Sequence, residues 1–194
     1  MGNGPKPGQI IKVEPIRSLP AIKRIKKLLE DKPRDNCLFV LGINTALRGG
    51  ELLSLTVGDV QHLKTGDVLE VPERKTGKKR VLTINENAAT SIKQYLRVRG
   101  AESPGEALFI GQRGRLTVQY LNRLVKKWCS DAGLTQDNYG SHTLRKTWGY
   151  HQRVTFKTDL VLIMRAFGHS SQAITLQYLG IQPEEIEKLY LNSI

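Results

Sequence analysis

No apolar run in the 194-residue chain approaches the roughly 18 residues that a membrane-spanning helix needs. The opening residues, MGNGPKPGQ, have no apolar core of the kind a secretory signal requires. MGNG is also a poor match to a myristoylation signal, since Lys6 stands where Ser or Thr is wanted. Cysteine is scarce: Cys37 and Cys129 lie inside apolar helical patterns without metal or redox spacing, and read as buried thiols of a cytoplasmic protein. An H-E-x-x-H metal motif, an acidic metal cluster, internal repeats and low-complexity tracts are all missing. Acidic residues are few, 18 Asp and Glu against 30 Lys and Arg, for a formal net charge of +12. That excess favours a polyanionic partner through release of counterions from phosphates, and double-stranded DNA, hence a nucleoid-associated location, is the leading expectation.

The length suits one well-buried domain. Residues 1–15, rich in Gly, Pro and Lys, read as a flexible basic tail or linker stub, and the ordered domain is expected over 16–194. SLPAIKRIKKLLEDK predicts an amphipathic helix, with Ser18 as N-cap, Pro20 in the first turn and Ile22, Ile25 and Leu29 on one face. DNCLFVLGINTAL predicts a buried helix capped by Asp35 and ending near Arg48, and GGELLSLTVGDV a short helix followed by a turn. The period then changes. DVLEVPE and KRVLTIN flank RKTGK and predict a β-hairpin with Gly77 in or near its turn. NENAATSIKQYLRVRG reads as a helix from Asn85 to Gly100, ALFIG as a short strand, and VQYLNRLVKKWCSDAGL as a helix capped by Thr117. SHTLRKTWGYHQRV, DLVLIMRAFG, SQAITLQYLG and PEEIEKLYLNSI complete the chain as helices. The fold class expected is mainly α with a small antiparallel β-sheet.

Several residues invite a chemical reading, each opposed by a plainer one. Arg48 lies in apolar surroundings and needs a carboxylate or a ligand anion, and Glu51 three residues on can reach it, so a structural Arg–Glu pair explains that segment alone. His142 and Arg145 share a helix face near an N-terminus, where an anion is favoured, but H-x-x-R is also a common surface pair. His169 follows a helix-ending glycine and precedes Ser170 and Ser171, as a capping histidine would, while Tyr178 sits where a core aromatic is ordinary. The set is more informative than its parts. Two arginines, two histidines, a hairpin lysine and a tyrosine suit phosphoryl transfer on DNA, with guanidiniums on the nonbridging oxygens and a phenol as nucleophile.

TALRGGELLSL, RKTGKKR, HTLRKTW and FGHSSQAITLQYLG resemble, in order and spacing, the first-arginine motif, hairpin lysine, H-x-x-R box and histidine-plus-nucleophile segment of the tyrosine recombinases of the phage integrase family. The resemblance runs from about Ile16 to the C-terminus. It implies that Arg48 and Arg145 bind the scissile phosphate, that His142 assists proton transfer at the tyrosine and that His169 donates to a nonbridging oxygen. It further implies Lys75 as general acid for the leaving 5′-oxygen, Glu51 as support around Arg48 and His142, and Tyr178 as the nucleophile that forms a 3′-phosphotyrosyl link. Lys78 and Lys79 lie near Lys75 and compete for the acid role. Lys78, Lys79, Arg80 and Lys146 are expected to contact DNA, and no cofactor or metal is expected. Phe167 stands where a leucine is usual, a change expected to affect packing alone.

Family members usually carry a helical core-binding domain ahead of this one, which has no counterpart in the fifteen-residue tail, so the chain reads either as a single-domain recombinase or as a fragment. The helix over 183–194 is expected either to pack on its own domain or, by resemblance, to dock on a neighbouring subunit in a dimer or tetramer on DNA. The same residue set also resembles type IB topoisomerases, and a DNA-binding or regulatory module without activity is the non-enzymatic alternative. The Tyr178 phenol is expected to be open toward the two arginines. The charge balance makes a first prediction: log affinity for duplex DNA falls linearly with log salt in a binding titration, and a flat response would contradict the phosphate-binding expectation.

Overall fold

The computed structural model describes residues 13–72, 79–101, 103–180 and 183–193. The mainly helical expectation holds, with two small antiparallel ladders among ten α-helices in the described residues. Helix α1, Leu19–Leu28, begins where Ser18 accepts a hydrogen bond from the Ala21 N–H, and it buries Ile22 and Ile25. Helix α2, Pro33–Asn44, is the central element and packs on α5 (Glu86–Arg99) and α7 (Ser141–Tyr150). Asp35 is not its cap: Pro33 occupies the first turn, where its missing N–H costs nothing, and Asp35 lies inside that turn paired with Arg34 at 2.7 Å. α3 (Gly49–Ser54) and α4 (Val57–Val60) follow, and Arg48 precedes α3 as its N-cap residue instead of ending α2.

Strands β1 (Val68–Pro72) and β2 (Lys79–Thr83) form the expected hairpin, in register from Val68 opposite Thr83 to Pro72 opposite Lys79. Its tip, with Lys75, Gly77 and Lys78, lies outside the described residues. Asn85 caps α5 through the Ala88 N–H, and Gly100, in the left-handed region, ends it. ALFIG is a strand only at Ile110–Gly111 (β3), paired with Gly114–Arg115 (β4). Ala107 makes an isolated bridge to Thr56, while Leu108 and Phe109 enter the core, so burial overrides strand pairing there. Thr117 caps α6 (Val118–Asp131), whose stripe of Leu121, Leu124, Val125, Trp128 and Cys129 is buried as its period requires.

The last third holds α7, α8 (Leu160–Phe167), α9 (Gln172–Leu179) and α10 (Pro183–Leu191). α7 stops sooner than its sequence suggests: a wide π-type turn over His151–Thr155 replaces its final turn. The chain ahead of α1 is tied to the back of this helix, the Ile16 N–H donating to Thr147 Oγ1 at 2.8 Å and the Ile16 carbonyl meeting His151 Nε2 at 3.0 Å. The Glu14 N–H also bonds the Asn138 carbonyl, so the chain is held two residues ahead of Ile16. Residues 1–12 of the basic N-terminal segment lie outside the described residues. Among the described residues no helix is long and apolar enough to cross a membrane.

The main core runs under α1, α2, α5 and α6, and a smaller cluster of Ala46, Ile163, Phe167 and Leu179 lies beside it, with Trp148 and Tyr178 at its margin. Gly149 lets α7 approach that cluster, since a Cβ there would meet Phe167 Cζ at 2.4 Å and Leu179 Cδ2 at 2.6 Å. Gly149→Ala is predicted to lose about 1–3 kcal/mol of unfolding free energy by overpacking. Gly105→Ala, with nothing nearer than 3.8 Å, is the neutral control in the same urea titration.

Candidate active site

Arg48 and Glu51 owe their geometry to the start of α3. The Arg48 N–H donates to Glu51 Oε2 at 2.7 Å, closing the first turn, and Arg48 Nη1 donates to Glu51 Oε1 at 2.7 Å. The carboxylate therefore serves backbone and side chain together, and it is nearly enclosed, 5% exposed, while the Arg48 side chain remains 39% exposed. One guanidinium is thus held at its root with an open face.

Arg145 stands on α7, one turn from its N-terminus. Asn122 of α6 fixes that terminus by accepting from the Ser141 N–H at 3.0 Å, and Thr143 Oγ1 accepts from the Gly140 N–H at 3.0 Å. Arg145 is 2% exposed, so every N–H it cannot pair internally is costly. Its Nη2 donates to the Phe167 carbonyl at 2.6 Å and its Nη1 to the Ala46 carbonyl, while its Cζ lies 4.6 Å from the Phe167 ring centroid. Both acceptors suit the task. Phe167 ends α8, where carbonyls lack helical donors, and Ala46 has φ 55°, a left-handed conformation unusual for a residue with a Cβ.

The hairpin contributes a residue whose role the sequence did not suggest. Arg80, read as a DNA contact, has a side chain only 8% exposed. Its Nη1 reaches the Ala46 carbonyl at 3.3 Å and Glu51 Oε2 at 3.4 Å, and its Nη2 reaches the Phe167 carbonyl at 3.3 Å. An arginine at alternate position on a two-stranded ribbon looks like any surface charge, which is why no pattern flagged it. Lys79, its neighbour, points the other way and pairs with Glu70 at 2.6 Å in solvent. Lys146, also expected to face DNA, is buried instead, with Nζ 5.1 Å from the centroid of the Tyr178 ring.

His169 and Tyr178 enter from α8 and α9. Gly168, at φ 64°, ends α8 and turns the chain, and Ser171 caps α9 through the Ile174 N–H. The His169 and Tyr178 rings meet edge to face at 5.4 Å, and Tyr178 packs on Phe167 at 5.3 Å. The phenol oxygen is fully enclosed and has no hydrogen-bond partner among the described residues. Expected to be open, it is instead covered. It still faces the arginines: Arg145 and Arg48 both act to lower its pKa, Arg145 coming close without meeting hydrogen-bond geometry, yet burial outweighs them and the pKa is raised. Thr175, which the sequence reading passed over, holds His169, with Oγ1 3.0 Å from Nδ1. When that hydroxyl donates to Nδ1, the neutral imidazole carries its proton on Nε2.

Burial first, and charge density after it, explain the remaining shifts. Arg145 falls to about 10 through burial first, with Arg48 and Arg80 opposing its charge and Tyr178 and Glu51 supporting it, so it stays cationic at neutral pH. His169 is pushed down to about 4 by burial and then by Arg145, Arg48 and Arg80. His142 is lowered by partial desolvation and then by Arg145, Lys146 and Arg48, although the residue is exposed at the surface. The structure thus brings Arg48, Glu51, Arg80, Arg145, Lys146, His169 and Tyr178 into one basic cluster and puts His142 at its edge. Lys75 and Lys78 lie outside the described residues. Among the described residues no group of three or more His, Cys, Asp or Glu could hold a metal ion.

A helical domain that gathers a tyrosine, two histidines and several guanidiniums into one cluster matches a class of DNA strand-cleaving and rejoining enzymes. The chain belongs to the Phage integrase family, whose profile matches residues 19–185, and is a tyrosine recombinase catalytic domain. It is 38% identical over 181 residues to the probable integrase/recombinase YoeC of Bacillus subtilis, covering 92% of this chain and 95% of that protein. It is 32% identical over 161 residues to the tyrosine recombinase XerC of Roseiflexus castenholzii, covering 79% of this chain but only 49% of that protein. In fold it is similar to the XerA recombinase crystal structure, with TM-score 0.76 at 22% identity over 94% of this chain and 65% of that one. A lambda integrase dimer bound to a COC′ core site gives TM-score 0.67 at 17% identity over 90% of this chain and 50% of that one. The chain therefore spans nearly all of YoeC and about half of the XerC relative.

The histidine shifts set a pH dependence. His169 has a folded pKa of about 4, below its ordinary value of 6.5, so the unfolded chain binds more protons between those two values. Stability is then predicted to fall as pH drops from about 6.5 toward 4, in urea midpoints, and His169→Asn to flatten the slope. An unchanged slope in that variant would contradict the assignment.

Proposed function

We propose that this chain is a site-specific recombinase that cuts and rejoins double-stranded DNA through a covalent 3′-phosphotyrosine on Tyr178, without a metal ion. The observation that carries the reading is the enclosed Tyr178 hydroxyl, which lies within the fields of Arg145 and Arg48 and beside His169. A phenol with a raised pKa is a poor nucleophile in the free protein. A phosphodiester held there compensates by proximity: its nonbridging oxygens pair with the guanidiniums and bring the phosphorus to the phenol, whose proton a neighbouring base removes as the new bond forms.

In this reading the open face of Arg48 and the remaining N–H groups of Arg145 bind the nonbridging oxygens, and Nε2–H of His169 adds a third donor. Tyr178 Oη forms a bond to phosphorus as the bond to the 5′-oxygen breaks. The phenolic proton passes to His142, which its lowered pKa keeps unprotonated before the step. The leaving 5′-oxygen takes a proton from the hairpin lysine Lys75, with Lys78 and Lys79 as the competing donors. Attack by a 5′-hydroxyl of a second duplex then reverses each step and releases Tyr178, so the phosphodiester is remade without an external energy source. Glu51 keeps Arg48 in place throughout. The exposed apolar residues Ile186, Leu189, Tyr190 and Leu191 of α10 support docking of that helix on a neighbouring subunit on DNA.

The test is a nicked duplex from which the short fragment bearing the new 5′-hydroxyl departs on cleavage, which traps the adduct. Wild type is expected to accumulate a covalent 3′ adduct and Tyr178→Phe none, with DNA affinity retained. An equal adduct yield from Tyr178→Phe would sink the nucleophile assignment. Lys75→Ala is expected to cleave slowly and to recover with a 5′-thiol leaving group, which needs no proton. Failure of that recovery would move the acid role to Lys78 or Lys79.

A further inference from the structure

Arg80 has no place in the mechanism above, yet it is among the most enclosed charges in the molecule, with a side chain 8% exposed. A guanidinium buried only to fill space is a poor choice, since desolvation costs several kcal/mol and an apolar side chain fits as well. Its position is also electrostatically unfavourable, because Arg48 and Arg145 already crowd the site. What it makes there is specific. The Ala46 and Phe167 carbonyls each accept from Arg145 and from Arg80, so two guanidiniums and two carbonyls form a closed square in which both lone pairs of each oxygen have donors. Among the described residues Arg80 also meets Glu51, the carboxylate that holds Arg48.

The structure assigns Arg80, on this phosphoryl-transfer reading, the role of a positioning residue: it locks the two carbonyls that aim Arg145 and the carboxylate that aims Arg48 into one clamp for the scissile phosphate. The turn after α2, the first turn of α3 and the end of α8 converge on this residue of β2. Without Arg80 each carbonyl keeps one donor, and Arg145 is free to tilt between its acceptors. The planar fork matters as much as the charge, because a single ammonium cannot span both carbonyls and a carboxylate.

The experiment compares single-turnover cleavage of nicked duplexes with an ordinary scissile phosphodiester or a methylphosphonate there, both stereoisomers present. The methylphosphonate carries no negative charge and has less need of aimed guanidiniums. Arg80→Gln is expected to slow cleavage of the phosphodiester by about 10- to 100-fold, the scale of an ångström-sized misplacement, with duplex affinity unchanged. On the methylphosphonate its deficit is expected to shrink to about threefold or less. Arg80→Lys is expected to follow Arg80→Gln, and it carries the comparison if thermal unfolding shows that the glutamine variant does not fold. Equal deficits on both substrates, no deficit on either, or wild-type rates from Arg80→Lys would each overturn the assignment. Tyr178→Phe runs alongside: an adduct from that variant overturns the proposed reaction itself, whatever Arg80 does.

Discussion

The buried Arg145 guanidinium sets the terms for the rest of the site. A charge enclosed to this degree survives only where fixed acceptors meet it, and the structure meets it with two main-chain carbonyls instead of a carboxylate. Carbonyl dipoles satisfy the N–H groups without cancelling the positive charge. A carboxylate in the same place would pair with the guanidinium and compete with an incoming phosphate. The choice of acceptor therefore keeps the site cationic, and the neighbouring arginines add to the burial that lowers the pKa of His169 and of Arg145. The one carboxylate used nearby, Glu51, is placed where it holds Arg48 at its root and leaves that side chain's outer face free.

That requirement accounts for several local features. Ala46 adopts a left-handed backbone because its carbonyl must turn inward at the end of α2. Phe167 is fully buried and ends α8 because its carbonyl and ring both face Arg145. Gly149 lacks a side chain because α7 must come close enough for its arginine to reach those carbonyls. Asn122 fixes the start of α7 from a neighbouring helix, so the arginine one turn later is not free to shift along its axis. None of these residues carries chemistry, yet each fixes a degree of freedom of a group that does.

The enclosed phenol of Tyr178 shows how a site can be assembled and still be restrained. Burial keeps the hydroxyl protonated, while the flanking guanidiniums pull in the opposite direction and lose to desolvation. An anion paired with those guanidiniums weakens their pull on the phenol, so ionisation of the hydroxyl then requires a base as well. The short helix α9 that carries it is attached to the small cluster around Phe167 and not to the main core.

Much of this was legible in the sequence because it is local. Ser18, Asn85 and Thr117 start their helices where side-chain oxygens meet N–H groups three residues on, the stripe of α6 is buried at its helical period, and Arg48 with Glu51 is a spacing that one turn can close. Motif order also carried the family. What the sequence could not supply is every contact that spans the chain. Asp35 resembles a cap, but Pro33 starts the helix. Lys146 and Arg80 read as surface charges, and only the convergence of α7, β2 and α8 turns them inward. Thr175 is silent until α9 folds back on His169. Composition and spacing by themselves determined which chemistry this chain could hold; the tertiary structure alone decided which cations are enclosed and share acceptors and which stay open to solvent, because burial and shared acceptors exist only between segments that the fold brings together.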